Sequence, residues 1–205
     1  MSTTQIVRPE PQDLVLPGKG TIHNRAAQLV SDGEREVVRL DARPGIGLAW
    51  WQDVAFEAGT IAFEVRGKNE LQRSFVGVAF HGELAGAELT YEAVYFRPFN
   101  FLAEDPLRRR HMVQYVCHPE YTWDRLREER PDEFEATVDR IPNPDDWFSA
   151  RVVVSDSTVS VYVEGSDRAS LVVTRLRARR SGWVGYWVGT GADGDFAALT
   201  LTAES

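Results

Sequence analysis

Three stretches of the chain carry polar and aromatic side chains at a spacing of two. Leu89 to Arg97 reads Leu-Thr-Tyr-Glu-Ala-Val-Tyr-Phe-Arg, which sets Tyr91, Tyr95 and Arg97 on one face of a strand and Glu92, Val94 and Phe96 on the other. The second set is the more apolar, so it is assigned to a core and the first to an open face. Glu92 is awkward in that register; a β-bulge or a position at the sheet edge would bring it to solvent. His111 to Cys117 divides in the same way, with Gln114 and then His118 on the open side. From Phe75 to His81 the small residues Gly77 and Ala79 alternate with Val76, Val78 and Phe80, which assigns His81 to the open side too. Asn100, Glu120, Tyr121, Trp123 and Asp124 lie in connections that reach such a face. Flat aromatic rings cover the C–H face of a sugar, and Arg, Gln and Asn aim hydrogen bonds at hydroxyls. A few polar groups in an apolar hollow is the usual arrangement for a small ligand. Each residue also has a plainer reading. Arg97 can pair with a surface carboxylate, His118 can end a strand before Pro119, and His81 can belong to a turn before Gly82. Five of the six Trp read as packing, which leaves Trp123 as the candidate platform for stacking.

The elements that must position these residues read as strands. Aromatic residues make up 11% of the chain and Val is frequent, and both types favour a pleated, half-buried setting. Alternation is visible over 37–40, 47–51, 54–56, 61–65, 76–80, 89–97, 111–117, 148–154, 158–163, 183–188 and 196–202. Ser155-Asp156-Ser157 and Gly189-Thr-Gly-Ala-Asp-Gly-Asp195 have the composition of hairpin turns. About ten short strands at this spacing predict an all-β sandwich or barrel. One short helix is predicted over Trp123 to Arg130, stopped by Pro131, on the long connection from His118 to Pro144. A second long connection runs from Pro98 to Arg110. Residues 1–12 read as a flexible arm, and 13–205 as a single domain.

Composition narrows the function. Of 205 residues, 23 are Lys or Arg and 31 are Asp or Glu, a net charge of −8, and no basic block breaks the balance. Such a chain is poorly suited to nucleic acid or anionic membrane. No apolar run is long enough for a transmembrane helix. The single cysteine, Cys117, excludes an internal disulfide and a thiolate zinc site. No charged-then-apolar leader is visible, so the expected location is cytoplasmic, although a mature secreted chain would read the same.

Several segments together carry a family resemblance. Glu92-Ala-Val-Tyr-Phe-Arg97-Pro98 resembles a strand of the 3-keto-disaccharide hydrolase family, and His111-Met-Val-Gln-Tyr-Val116 stands where that family has its next strand. Gly182-Trp-Val-Gly-Tyr-Trp187 and Asp195-Phe-Ala-Ala-Leu-Thr-Leu201 resemble the closing hairpin and last strand of concanavalin A-like lectin and glucanase domains. The resemblance spans about residues 47 to 203. It implies a concanavalin A-like β-sandwich, or jelly roll, of two antiparallel sheets, with the short helix on a loop and a concave groove. The family's Asn-Ser before the Phe-Arg strand is here Glu92-Ala93, and its Trp-Asn pair is here Trp147-Phe148. The Glu-x-Asp-x-x-Glu strand of retaining glucanases is missing, so the paired carboxylates of that mechanism are not expected.

If the resemblance holds, the substrate is a glycoside oxidised at C3, whose acidified C2 proton a base removes before the aglycone leaves. His118 or Glu92 would be the base and Arg97 would stabilise the enolate. Tyr91, Tyr95, Asn100, Gln114, Trp123 and His81 would hold the sugar. No cofactor is required. A divalent metal such as calcium is conceivable at Asp193-Gly194-Asp195, which also reads as an ordinary Asp-Gly turn. The alternatives are a carbohydrate-binding module without catalysis and an interaction protein on the same fold. The expected partner is a carbohydrate or other small molecule, and homo-oligomerisation is left open.

Overall fold

The computed structural model describes residues 4–178 and 181–204. In chain order the strands are β1 (Thr4–Val7), β2 (Gly20–His23), β3 (Ala27–Asp32), β4 (Arg35–Leu40), β5 (Gly47–Phe56), β6 (Gly59–Arg66), β7 (Val76–Ala85), β8 (Glu88–Phe96), β9 (Val113–His118) and β10 (Glu135–Ala136). They continue with β11 (Phe148–Val154), β12 (Thr158–Val163), β13 (Leu171–Thr174), β14 (Gly182–Val188) and β15 (Gly194–Glu204). Two short helices, α1 (Pro106–Arg109) and α2 (Trp123–Glu129), lie on the two long connections.

The strands form two antiparallel sheets packed face to face. One runs β10-β9-β8-β7-β14-β5-β2; the other runs β13-β12-β11-β6-β15-β4-β3, with β1 added along β15. The alternate residues Val94, Phe96, Val113, Tyr115 and Tyr186 of the first sheet are buried against Phe148, Val152 and Phe196 of the second. Phe96 meets Phe148 edge to face at 5.2 Å, and Tyr186 stacks on Phe196 at 4.5 Å. Burial of such side chains contributes roughly 1.5–3 kcal/mol each, and this layer is the main source of stability.

Two expectations are corrected here. The arm expected over residues 1–12 is in part a strand: Thr4 to Val7 pair with Glu204 to Leu201. The reason lies in β15, which β4 covers only from Gly194 to Phe196. Its remaining edge would present unpaired backbone groups, and β1 satisfies them. The sequence predicts one short helix, yet the long connection after β8 holds a further single turn, α1, with Pro106 at its first position and the Asp105 carboxylate accepting from Leu107 N at 2.8 Å. Helix α2 ends one residue earlier than expected and is anchored by buried Leu126. Among the described residues no helix is long and apolar enough to cross a membrane.

Candidate functional site

The outer face of the first sheet carries Tyr91, Ala93 and Tyr95 on β8 and Gln114, Val116 and His118 on β9, in the parity read from the sequence. Gly77 and Ala79 of β7 and Trp187 of β14 continue that face, because Gly77 pairs with both Tyr95 and Trp187. Gly77 is required there: a Cβ would lie 2.0 Å from the Val94 carbonyl oxygen and 2.6 Å from Tyr95 Cα. The flat floor lets Tyr95 stack on Trp187 at 4.6 Å and 23°, with Phe75 edge-on to Tyr95 at 6.2 Å. Further along, His118 stacks on Tyr91 at 4.9 Å, and Trp50 stacks on Trp183 at 4.5 Å.

Above the floor of Tyr95, Trp187 and Phe75 is an open cavity of about 620 Å³. Trp123, Asp124 and Arg127 of α2 form one wall, and the loops carrying Ile46, Gln72 and Thr190 form the other. Trp123 is 49% exposed on the rim, with the Arg127 guanidinium 5.2 Å from its ring. Arg127 also grips the buried carboxylate of Glu135 through Nε at 2.8 Å and Nη2 at 2.6 Å, which ties the helix to β10.

The polar groups of the floor are held in place by one another. Arg97 Nη2 donates to the Tyr95 hydroxyl at 2.9 Å and to Gln114 Oε1, and the Tyr95 hydroxyl donates to the same Gln114 oxygen at 2.9 Å. Arg97 Nη1 donates to the His111 carbonyl at 3.2 Å and lies 3.5 Å from Glu135. His118 lines the cavity, and burial lowers its pKa from 6.5 to about 4 against the opposing charge of Asp124. Its imidazole is therefore neutral at physiological pH. Asp124 is ionised, held low first by a hydrogen bond from Thr122. It is the one carboxylate of this lining among the described residues.

The structure thus gathers Tyr95, Arg97, His118 and Trp123 around one cavity, with Gln114 buried against Tyr95 and Arg97 and with Tyr91 on the same sheet face. It separates three others from them. Asn100 is buried below the cavity, donating to the His111 carbonyl at 2.8 Å and accepting from Arg108 Nε at 3.0 Å. His81 and Glu92 lie inside the sandwich, contrary to the sequence reading. A bulge places two residues, His81 and Gly82, opposite the single Tyr91, and His81 takes a φ of 50°. The ring is thereby turned inward, where its Nε2–H donates to the Glu57 carbonyl at 2.6 Å and its Nδ1 lies 2.8 Å from Glu92 Oε1.

Glu92 keeps the inward parity and is 0% exposed. Its carboxylate accepts from Arg175 Nη2 at 2.7 Å and from the Tyr115 hydroxyl at 2.5 Å. Burial works against its charge, but His81, Arg175 and Tyr115 together hold its pKa below the usual carboxylate value. Arg175 follows β13 in the opposite sheet, so this cluster clasps the two sheets together. Cys117 is buried nearby, and burial pushes its thiol up to about 12.

The acidic turn before β15 is also engaged. Asp195 accepts two bonds from Arg39, at 2.7 and 2.9 Å, and two from Arg66, at 2.7 and 3.2 Å, while Asp193 pairs with Lys68 at 2.5 Å. Among the described residues no group of three or more His, Cys, Asp or Glu is arranged to hold a metal ion. Sequence reasoning missed Trp187 and Arg127, and reached Phe75 only as a member of the open-face set of its strand. The signal for Trp187 was present, since Val184, Tyr186 and Val188 form a core set at period two that leaves Trp187 outward.

Comparison with known proteins places the fold. No family model and no curated protein matches the chain. Among solved structures it is similar to the carbohydrate-binding module CBM66 from Bacillus subtilis, with 10% identity, 89% of this chain and 95% of that one covered, and a TM-score of 0.60. It is similar to a protein of unknown function with a galectin-like fold from Bacillus subtilis, with 9% identity, coverage of 91% and 90%, and a TM-score of 0.60. It is also similar to the exoplasmic/lumenal domain of VIP36 in its Ca2+/Man3GlcNAc-bound form, with 15% identity, coverage of 97% and 90%, and a TM-score of 0.58. The chain is a concanavalin A-like β-sandwich of two antiparallel sheets, the architecture the sequence predicted. At these identities the likeness is one of fold.

Proposed function

We propose that the cavity over β8, β9 and β14 binds carbohydrate. The observation that carries this reading is the Tyr95–Trp187 stack, open to a cavity of about 620 Å³ that Arg97, His118, Trp123, Asp124 and Arg127 also line. The stacked rings offer an apolar platform to a sugar ring, and the lining groups His118, Asp124 and Arg127 around it offer partners for hydroxyls. Support comes also from the fold neighbours, two of which are described as a carbohydrate-binding module and a glycan-bound domain. Ordinary glycoside hydrolysis needs two carboxylates flanking the bond, and this lining offers Asp124 alone.

One observation favours a second reading, in which the site turns over a 3-keto-glycoside. His118 is neutral in the cavity beside Asp124 and can accept the C2 proton of such a substrate. The test is calorimetry and product analysis on one panel of 3-keto-glucosides and their unoxidised parents, with and without chelator. Binding without products supports the binding module. Release of aglycone from the keto forms alone supports the elimination, and its loss with chelator would add a metal. No binding and no products would overturn both readings.

A further inference from the structure

A second hollow of about 400 Å³ adjoins the cavity, and the two share Gln72, Arg97 and Arg127 as their common wall. The connection between β8 and β9 builds one side of it, and the segment before β10 builds the other. Its charged lining is unbalanced. Arg97, Arg108, Arg110 and Arg127 face it, against only Asp132 and Glu135. Glu135 serves both Arg97 and Arg127, and Asp132 serves Arg110 at 3.1 Å. Arg108 has neutral acceptors only, Asn100 Oδ1 and the Phe99 carbonyl. Two positive charges are left over in a chain whose net charge is −8.

A hollow on the other sheet shows that this imbalance is not general. There Arg39, Arg66 and Lys68 meet Asp145, Asp193 and Asp195, three against three. The hydrogen bonds of Arg108 and Arg127 use Nε and Nη2 in each case, so among the described residues neither Nη1 has a protein acceptor. Both residues are half-buried, where opposite charges are screened less than at an open surface. The guanidinium plane matches the geometry of a carboxylate.

We propose that this second hollow binds the anionic substituent, foremost a carboxylate, of a saccharide whose ring lies on the Tyr95–Trp187 floor; the ligand of the site is then an acidic saccharide of the hexuronate kind. This rests on the carbohydrate reading of the first cavity and specifies its ligand class. Arg97 is a positioning residue in this scheme, since its donors are already committed to Tyr95, Gln114 and the His111 carbonyl. Arg108 and Arg127 make the direct contact.

The test is calorimetry of the full chain with size-matched oligosaccharides of galactose, of galacturonate and of sulfated galactose, at low and at high salt. The galacturonate form is expected to bind about tenfold tighter than the neutral form, as one charge-assisted contact supplies. High salt should erase most of that preference, a readout that needs no variant. Arg108→Gln should reduce the preference several-fold, with the melting temperature checked to show that the loop stays folded. Preference for the sulfated form over the uronate supports the anion site and assigns sulfate as its occupant. Equal affinity for neutral and anionic forms overturns the proposal while keeping carbohydrate binding. Absence of binding by every saccharide overturns the carbohydrate reading itself.

Discussion

Tyr95 lies flat against Trp187, 4.6 Å between ring centroids, and its hydroxyl is fixed between Arg97 Nη2 and Gln114 Oε1. One residue thereby joins the apolar platform of the cavity to its polar edge. The stack depends on Gly77 beneath it, the position at which any side chain would strike β8.

If this stack is the platform for a sugar ring, Trp187→Ala should weaken saccharide binding about tenfold or more, the worth of one aromatic contact and its buried area. Tyr95→Phe keeps the ring and removes the hydroxyl that organises Arg97 and Gln114. It should cost less affinity for a neutral sugar than Trp187→Ala does. Calorimetry on the two variants checks the order, and equal affinity in Trp187→Ala and the parent chain would place the ligand elsewhere.

Glu92 gives the opposite expectation. It is sealed between the sheets with His81, Tyr115 and Arg175, and removing it leaves Arg175 buried without its carboxylate. Glu92→Ala should cost about 3–5 kcal/mol of stability, the scale for breaking a buried ion pair. Urea denaturation measures that loss. The fraction that stays folded should bind saccharide with the parent affinity; a specific loss of binding or turnover at unchanged stability would restore Glu92 to the site.

The contrast between Tyr95 and Glu92 shows what the sequence made legible. The open and core faces of β8 and β9 could be read from alternation alone, because each strand carries one clearly apolar set. The sandwich followed from the same pattern, but the described residues form fifteen strands where alternation showed about ten, because short or half-exposed strands such as β1, β2, β3, β10 and β13 carry too little of it. His81 was misplaced because one extra residue in a strand reverses parity, and nothing in Phe80-His81-Gly82 fixes where the bulge falls. Glu92 looked out of place in a core set because its partner Arg175 lies 83 residues away and is brought near only by the closure of the sandwich. The second hollow was illegible for the same reason. Its arginines are scattered over Arg97 to Arg127, and the carboxylates that neutralise some of them could not be assigned without the fold.

The turn at Asp193-Gly194-Asp195 was the sequence's candidate for calcium. Burial raises the Asp195 pKa, but its hydrogen bonds from Arg39 and Arg66 more than reverse this and hold the carboxylate ionised. A calcium ion would have to displace three bound cationic side chains to claim both carboxylates. Neither calcium nor a chelator should therefore shift the melting temperature, whereas Asp195→Asn should lower it. A calcium-dependent rise that Asp195→Asn abolishes would show that the ion displaces the arginines.

The last prediction concerns acid. Burial lowers the His118 pKa to about 4, while in the unfolded chain it titrates near its ordinary value of 6.5. Between those values the unfolded chain takes up a proton that the folded chain does not, so folding stability falls as pH is lowered through this window and the loss levels off near pH 4. Glu92, whose folded pKa is depressed, adds its own loss from its ordinary value of 4.5 downwards, as pH falls towards its folded pKa. The two contributions thus overlap only near the acidic end of the His118 window. His118→Gln should flatten the melting-temperature profile between about pH 6.5 and pH 4 and leave the more acidic part as it is. A saccharide seated over the His118–Tyr91 stack should lower the imidazole pKa further, because it removes water from a ring that is already partly buried. Proton resonances of the imidazole followed through a titration measure both effects directly. A His118 that titrates near 6.5 in the folded chain would show that water reaches the ring freely, and a ligand would then meet an imidazolium at mildly acidic pH instead of a neutral base.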